Sequence, residues 1–274
     1  LFRSDTLRSP WHHACFSLRP GAALRARALD GVPCWRVEQS DAVYVREKRT
    51  GSVHAPAQAL PADTPASILI IGGGAAGNAA AETLRQEGYA GRITLLSADE
   101  ARPTDRPNLS KGYLAGTAPE EWTILRPAQF YQERGIELHL QTRVSAIDAA
   151  RSEVVMEDGT RQGSGALLLA TGAIPVPLRV PGSTLPQVRY LRTLADSRTL
   201  VERTASARQA VVIGASFIGL EAAASLRARN VAVHVVAPEA VPMTKVLGPQ
   251  VGAFIRTLHE QHGVAFHLGT TVTS

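Results

Sequence analysis

The feature that most constrains the fold of this chain is a strand, glycine turn, helix and strand unit that occurs twice. The first copy runs from an apolar strand at 68–71 through a glycine cluster and a helical pattern at 75–87 to a strand at 92–96. The second copy runs from a strand at 210–213 to a strand at 231–236. Short continuous apolar strands joined by a helix are typical of a buried parallel sheet. Two copies predict an α/β fold with two Rossmann-like units.

The first glycine turn satisfies G-x-G-x-x-G between a strand and a helix, the context in which this motif indicates a dinucleotide site. Gly72 permits the tight turn, Gly74 lets the backbone approach a pyrophosphate, and Gly77 lets the helix pack against the strand. Asp99 and Glu100 follow the second strand as candidate acids for ribose hydroxyls. A glycine-rich turn without a ligand is the alternative. The predicted cofactor contacts at this turn are Gly72, Gly74, Ala75, Ala76 and Gly77.

The second turn has Ser216 in place of the middle glycine, and its small side chain still permits fairly close phosphate approach. A helical pattern at 220–229 follows, and Glu239 is the candidate ribose acid. Because no Arg or Lys lies within 231–243, a 2′-phosphate would meet only the like charge of Glu239, which predicts NADH rather than NADPH. The predicted contacts at this turn are Gly214, Ser216, Ile218 and Gly219.

Composition excludes several classes of partner. The chain has 29 Lys and Arg against 24 Asp and Glu, giving a net charge of +5, but the basic residues are scattered and aromatic residues make up only 5%. We therefore expect no nucleic-acid surface. No apolar stretch of about 18 residues occurs, so we expect no membrane span. Two cysteines cannot build a disulfide framework, which favours a cytoplasmic location.

Three local strings resemble ferredoxin reductases and apoptosis-inducing-factor-like flavoproteins of the pyridine nucleotide-disulfide oxidoreductase superfamily. Residues 102–111 (RPTDRPNLSK) resemble their P-Y-x-R-P-x-L-S-K string, residues 170–175 their A-T-G-x-x-P strand end, and residues 213–221 their I-G-x-x-x-I-G-x-E turn. The resemblance implies an NAD(P)H reductase that uses FAD and NAD. The C-x4-C pair of related disulfide reductases is absent here, which implies that electrons leave the flavin directly for a one-electron iron–sulfur or haem partner. A ferredoxin or Rieske iron–sulfur protein is the expected acceptor.

The resemblance also implies roles for individual residues. Arg106 and Lys111 would contact the FAD, with Asp99 on its ribose. Lys111 would lie near the isoalloxazine ring and form a buried ion pair with Glu221, and these two are the candidate catalytic residues. The adenine and pyrophosphate side of the site would be completed by Thr171, Gly172 and the backbone near Val144.

Residues 9–16 resemble the second cluster-binding box of Rieske domains, C-P-x-H-x-x-x-F, as found in Rieske-containing apoptosis-inducing-factor-3-like flavoproteins. Ser9 stands where the Cys ligand belongs, and the first box, C-x-H, is absent. A 2Fe–2S Rieske cluster needs two Cys and two His. His12 would be the surviving metal ligand, and we expect no intact cluster on this chain.

These features predict four segments, at 1–50 (C-terminal part of a Rieske-like all-β domain), 51–66 (linker), 67–184 (FAD-binding) and 185–274 (NAD-binding). The A-x-G-D strand of the family does not occur before Ser274, so we expect the FAD-binding and NAD-binding domains to be incomplete. The predicted function is FAD-dependent electron transfer from NADH to an iron–sulfur acceptor. A non-catalytic NADH-sensing protein and an inactive fragment are the alternatives.

Overall fold

The structure, a computed structural model, describes residues 2–3, 5–9, 14–19, 21–25, 29–49 and 61–273. It divides into two compact units, one made of Leu1–Ala66 with Ala79–Gly91 and the other of Ser67–Asn78 with Arg92–Ser274. His12 and most of the predicted linker lie outside the described residues.

The first unit consists largely of short antiparallel strands. Its strands are β1 (Phe2–Arg3), β2 (Thr6–Arg8), β3 (Cys15–Ser17), β4 (Ala23–Arg25), β5 (Trp35–Gln39) and β6 (Val43–Lys48). Strands β1 to β4 form one sheet in sequence order, and β5 pairs with β6 as a hairpin that places Val37 opposite Val45. This confirms the expectation of short strands and turns, whereas the Rieske-like assignment stays a prediction.

The second unit contains both glycine turns. Its first part comprises β7 (Ser67–Ile71), α1 (Ala75–Gln86, which ends in the first unit), β8 (Arg92–Leu96), α2 (Gly112–Ala115), α3 (Ala128–Glu133), β9 (Ile136–His139), β10 (Val144–Asp148), β11 (Glu153–Met156), β12 (Arg161–Gly163) and β13 (Ala166–Leu169). Its second part comprises α4 (Leu194–Thr204), β14 (Gln209–Ile213), α5 (Phe217–Ala228), β15 (Ala232–Ala237), α6 (Thr244–Gln261) and β16 (Val264–Leu268). Two 3-10 helices, Arg106–Ser110 and Glu120–Thr123, flank α2.

The first parallel sheet has the strand order β13-β7-β8-β9. Ile70 on β7 and Ile93 and Leu95 on β8 have no exposed surface, which explains why these strands are continuous apolar runs. The antiparallel sheet β10-β11-β12 supplies Val154 and Met156 to the same core as Leu69. The predicted strands and the helix at 75–87 are confirmed within one residue at each end.

The second parallel sheet has the order β14-β15-β16, and Val233 and Val235 of its central strand are buried against Leu220 and Leu226 of α5. The predicted strands are confirmed within one residue at each end, but the helix begins at Phe217 and not at residue 220. The carbonyl of Ser216 already accepts the N–H of Leu220, so the helix starts directly at the turn.

Both glycine turns place a carbonyl against the helix that follows. The Cβ of a residue at 77 would lie 2.0 Å from the carbonyl oxygen of Gly72 and 3.2 Å from Leu95 Cδ1, and a Cβ at 219 would lie 2.1 Å from the carbonyl oxygen of Gly214. The close helix–strand approach expected of Gly77 is present, and Gly219 has the same approach in the second turn. None of the helices within the described residues is long and apolar enough to cross a membrane.

We predict that Gly77→Ala lowers the free energy of unfolding by about 1–3 kcal/mol, because the added methyl group overlaps backbone that cannot move away. Gly163→Ala is the matched control, since the nearest atom to its Cβ lies at an ordinary 3.7 Å. Urea unfolding of the two variants measures the difference. Equal midpoints for both variants would show that the turn relaxes around the methyl group.

Candidate functional site

The first glycine turn has an open side at Gly74. Gly72 has φ +120°, and its Cβ would lie 2.2 Å from the carbonyl oxygen of Ala170, while a Cβ at Gly73 would lie 2.4 Å from Ser97 Cβ. These glycines are therefore required by the protein's own packing. A Cβ at Gly74 would meet, among the described residues, only Arg106 Nη2, at 4.0 Å. The space above Gly74, at the N-terminus of α1, thus fits an anionic group approaching the backbone.

Two arginines lie around this open side. Arg106 Nη2 is 3.6 Å from Asp99 Oδ2, so two residues predicted to contact the same cofactor are adjacent. Partial burial lowers the pKa of Arg106, and the nearby charge of Arg192 lowers it further. Arg192 Nη2 lies 3.6 Å from the position of a Cβ on Gly172. This concentration of positive charge favours a phosphate-bearing ligand.

Arg192 was missed by sequence reasoning. Its Nε donates to the carbonyl of Ala173 at 3.1 Å, and its backbone N–H donates to Asp196. The sequence does contain a capping-box motif at the start of α4. In it, the side chains of Thr193 and Asp196 each accept a hydrogen bond from the other residue's backbone N–H. That motif places residue 192 at a helix entrance, but its approach to Gly172 depends on the fold.

A cavity of about 400 Å³ opens beside Asp99 and is lined by Thr104, Gln141, Arg143, Thr193 and other residues. The backbone N–H of Gln141 donates to the carbonyl of Asp99 at 3.1 Å, which ties the loop before β10 to the end of β8. Val144 follows Arg143 and packs against the core of the first sheet. Thr171 and Gly172, with φ +70° at Gly172, follow β13. The predicted ribose acid therefore faces a cavity of the size of a small-molecule site.

Lys111 and Glu221 meet although they are 110 residues apart. Lys111 Nζ lies 2.8 Å from Glu221 Oε2, and the Ser110 hydroxyl donates to the same oxygen at 2.6 Å. The side chains of Lys111 and Glu221 are 40% and 28% exposed, so the predicted ion pair is present but the prediction that it is buried was wrong. Lys111 also donates to the carbonyl of Pro107, on the 3-10 helix, at 3.1 Å. One carboxylate oxygen of α5 thus holds two consecutive residues of the 102–111 string.

The second glycine turn shares the positive φ of the first but is more open at its first glycine. Gly214 has φ +108°, and among the described residues no atom lies within 4 Å of the position of its Cβ. Ser216 is the N-cap of α5, and its side chain makes no capping hydrogen bond. Ile218 is half-exposed in the first turn of the helix. The turn therefore leaves backbone N–H groups at the start of α5 accessible to a second anionic group.

Glu239 pairs with a lysine that lies just beyond residues 231–243, the range from which the preference for NADH was predicted. Lys245 Nζ lies 2.8 Å from Glu239 Oε1, and the hydrogen bond from Lys245 lowers the pKa of Glu239. The absence of Lys and Arg from residues 231–243 therefore does not keep positive charge away from this carboxylate. The kink of α6 at Gly248 follows three residues later.

An ion-pair network joins α4 to residues that precede and follow the 102–111 string in the chain. Arg198 of α4 makes a bidentate contact with Glu120 at 2.6 and 2.8 Å and reaches Glu100 at 2.7 Å. The hydrogen bonds from Arg198 lower the pKa of Glu120 to about 2. Burial, followed by the contact with Glu120, raises the pKa of Tyr113 to about 12. The network fixes the 3-10 helix Glu120–Thr123 against α4.

The metal prediction falls outside the described residues, because His12 is not among them. Within the described part of the chain, no three His, Cys, Asp or Glu side chains are grouped to hold a metal ion. Cys15 is buried and Cys34 is half-buried, and both are unpaired.

The sequence profile for pyridine nucleotide-disulphide oxidoreductases matches residues 66–274, which contain both glycine turns. The chain belongs to this family. It is 36% identical to apoptosis-inducing factor 3 of Homo sapiens over 279 residues, covering 97% of this chain and 45% of that protein. It is 42% identical to rhodocoxin reductase of Rhodococcus erythropolis over 206 residues, covering 75% of this chain and 48% of that protein.

Solved structures of the family share this fold. A ferredoxin reductase from Rhodopseudomonas palustris superposes with a TM-score of 0.73 at 39% identity, covering 76% of this chain and 51% of that one. The chain spans about half the length of the family members it matches. The similarity to apoptosis-inducing factor 3 extends over most of the N-terminal residues that the family profile does not match.

We predict that Glu120→Gln destabilises the protein at neutral pH and that the difference from wild type shrinks as the pH falls. The folded pKa of Glu120 is about 2 against an ordinary 4.5, so its stabilisation is present above pH 4.5 and is lost between pH 4.5 and 2. The effect will be small because the pair is 37% exposed and solvent screens it. Urea unfolding across this range, with exposed Glu121→Gln as the control, measures it. An equal pH dependence of the two variants would contradict the assignment.

Proposed function

We propose that this chain is the nucleotide-binding part of an FAD-dependent oxidoreductase that passes electrons from NADH to an iron–sulfur partner protein. The observation that carries the proposal is the contact between Lys111 and Glu221, because it brings the residues after one glycine turn to the helix of the other. Two dinucleotide sites joined in this way suit hydride transfer between a tightly bound flavin and an exchangeable nicotinamide.

The residues of the first turn fit FAD. The open space at Gly74 admits a pyrophosphate, the α1 N-terminus and Arg106 supply positive charge, and Asp99 can accept hydrogen bonds from ribose hydroxyls beside the 400 Å³ cavity. Bound FAD would supply the hydride acceptor and the one-electron donor of the reaction. Thr171 and Gly172 lie in the loop directly after β13, and Val144 is the first residue of β10, next to Arg143 of the cavity lining.

Lys111 supplies the charge that the reaction requires. An ammonium group near the flavin stabilises the negative charge that develops there on reduction. Glu221 holds the ammonium in place, and Ser110 fixes the carboxylate by donating to the same oxygen. The residues of the second turn, Gly214, Ser216, Ile218 and Gly219, with Glu239, would hold NADH.

An iron–sulfur protein is the proposed acceptor. Residues 105–110 hold no cysteine pair, so a dithiol relay from the flavin is not available at this position. The chain is similar to rhodocoxin reductase and to the ferredoxin reductase from Rhodopseudomonas palustris. Both are named for the electron-transfer protein that they reduce, which supports an acceptor of this kind. The proposal includes the cytoplasmic location, which the unpaired Cys15 and Cys34 support.

The domain boundaries form part of the same proposal. Residues 67–184 would bind FAD and 185–274 NAD, after a Rieske-like segment at 1–50 and a linker at 51–66. Because Ser9 replaces a cysteine ligand, we propose that residues 1–50 of this chain hold no intact 2Fe–2S cluster.

We predict that the full-length protein is yellow and that NADH bleaches its absorbance under anaerobic conditions. Lys111→Ala should slow this bleaching about tenfold or more, because a charge aimed at the reacting group is lost, while NADH binding changes less. Lys48→Ala on the exposed strand β6 is the control. Stopped-flow spectroscopy measures both quantities. A protein that binds NADH but no flavin would favour the nucleotide-sensing alternative.

We predict a preference for NADH that depends on Glu239. Glu239→Ala should lower the ratio of kcat/KM for NADH over NADPH by about tenfold or more, because hydrogen bonds to a charged carboxylate are lost and Lys245 becomes free for a 2′-phosphate. Adding Lys245→Ala should remove the gain with NADPH. Steady-state kinetics with both nucleotides measure the ratio. A wild-type preference for NADPH would contradict the assignment of Glu239.

A further inference from the structure

Three consecutive backbone carbonyls at the end of the 102–111 string accept hydrogen bonds from buried serine hydroxyls. Ser197 Oγ of α4 donates to the carbonyl of Leu109 at 2.8 Å. Ser225 Oγ of α5 lies 2.7 Å from the carbonyl oxygen of Ser110 and 3.2 Å from that of Lys111. Ser197 is fully buried and Ser225 is 5% exposed, so water does not readily replace these contacts.

Ser225 lies on a polar face of α5. Glu221, Ser225 and Arg229 are four residues apart and therefore share one side of the helix and its C-cap. Glu221 holds the Ser110 and Lys111 side chains, Ser225 holds their carbonyls, and Arg229 Nε donates to the carbonyl of Leu114. One helix face thus contacts the segment from Ser110 to Leu114 at three successive turns.

The ion pair by itself is a weak restraint on Lys111. A Lys side chain loses rotamer entropy when it is fixed, and a partly exposed ion pair contributes too little free energy to offset that loss fully. The Lys111 side chain is 40% exposed. An anchored backbone reduces the number of positions that the ammonium can reach before the pair forms.

We propose that Ser225 is a positioning residue for Lys111. Its hydroxyl fixes the backbone at Ser110 and Lys111, so that the ammonium of Lys111 meets the carboxylate of Glu221 on the same helix, and Ser197 supports the preceding residue. This inference rests on the proposed function for its consequence in catalysis, but its geometric part concerns only the protein's own side chains.

The geometric part is tested by the reactivity of Lys111 toward acetic anhydride in the full-length protein, measured by mass spectrometry with Lys48 as the internal reference. Ser225→Ala and Glu221→Gln should each raise the acetylation rate of Lys111 about threefold to tenfold, as expected for the loss of one hydrogen bond or ion pair. Thr94→Val, which removes a buried hydroxyl on β8 that donates to Glu137, should leave it unchanged. Ser225→Cys, which keeps the side-chain size with a weaker donor, replaces Ser225→Ala if that variant does not fold.

An unchanged rate in Ser225→Ala beside a raised rate in Glu221→Gln would overturn the proposal, as would an equal rise in Thr94→Val.

The catalytic consequence is tested by flavin reduction. Ser225→Ala should slow reduction at saturating NADH by about threefold to tenfold with a smaller change in the NADH dissociation constant.

The effect on reduction should disappear in a Lys111→Ala background, because Ser225 acts through that lysine. A Ser225 effect that persists without Lys111 would identify a general structural role and overturn the proposal. If NADH does not reduce the wild-type protein, the proposed function fails while the acetylation rates still decide the positioning role.

Discussion

The arrangement of the second unit depends on the contacts between one face of α5 and the residues at the end of the 102–111 string. Glu221 Oε2 accepts the Ser110 hydroxyl at 2.6 Å and the Lys111 ammonium at 2.8 Å. These contacts join a helix of the second parallel sheet to the segment between β8 and β9 of the first sheet. Because Ser225 and Arg229 extend the contact along α5, the carboxylate is the first of several restraints on one segment.

The glycines of the two turns serve two separate purposes. Gly72, Gly77 and Gly219 are required because a Cβ would overlap the protein's own carbonyl oxygens at 2.0 to 2.2 Å. Gly74 is different, because its open side faces space that the described residues do not fill. A motif can therefore require glycine for packing at some positions and for ligand approach at others. The structure shows which glycine serves which purpose, whereas the motif alone does not distinguish them.

The arginines of the second unit have two different roles. Arg198 links Glu100 and Glu120, so it stabilises the loop and offers little free charge. Arg106 and Arg192 lie near the open side of the first turn, where burial lowers the pKa of Arg106. An approaching anion stabilises a partly buried cation of this kind. Arg198 therefore serves contacts within the loops, whereas Arg106 and Arg192 lie where a phosphate would approach.

The sequence by itself determined the two parallel sheets, both glycine turns and the acids that follow them. These features are local, because continuous apolar strands and a G-x-G-x-x-G turn specify structure over about 30 residues. The pairing of Lys111 with Glu221 was predicted from the family resemblance, since 110 intervening residues carry no spacing signal.

Only the tertiary structure decided the contacts between distant elements. The serine hydroxyls on the carbonyls of residues 109–111, the approach of Arg192 to Gly172 and the contact of Lys245 with Glu239 are examples. Because Ser, Arg and Lys are common at helix starts and on protein surfaces, their presence in the sequence does not predict which residue each of them contacts. The same limit explains why the Lys111–Glu221 pair was expected to be buried. Exposure depends on how elements pack, and local sequence patterns do not encode it.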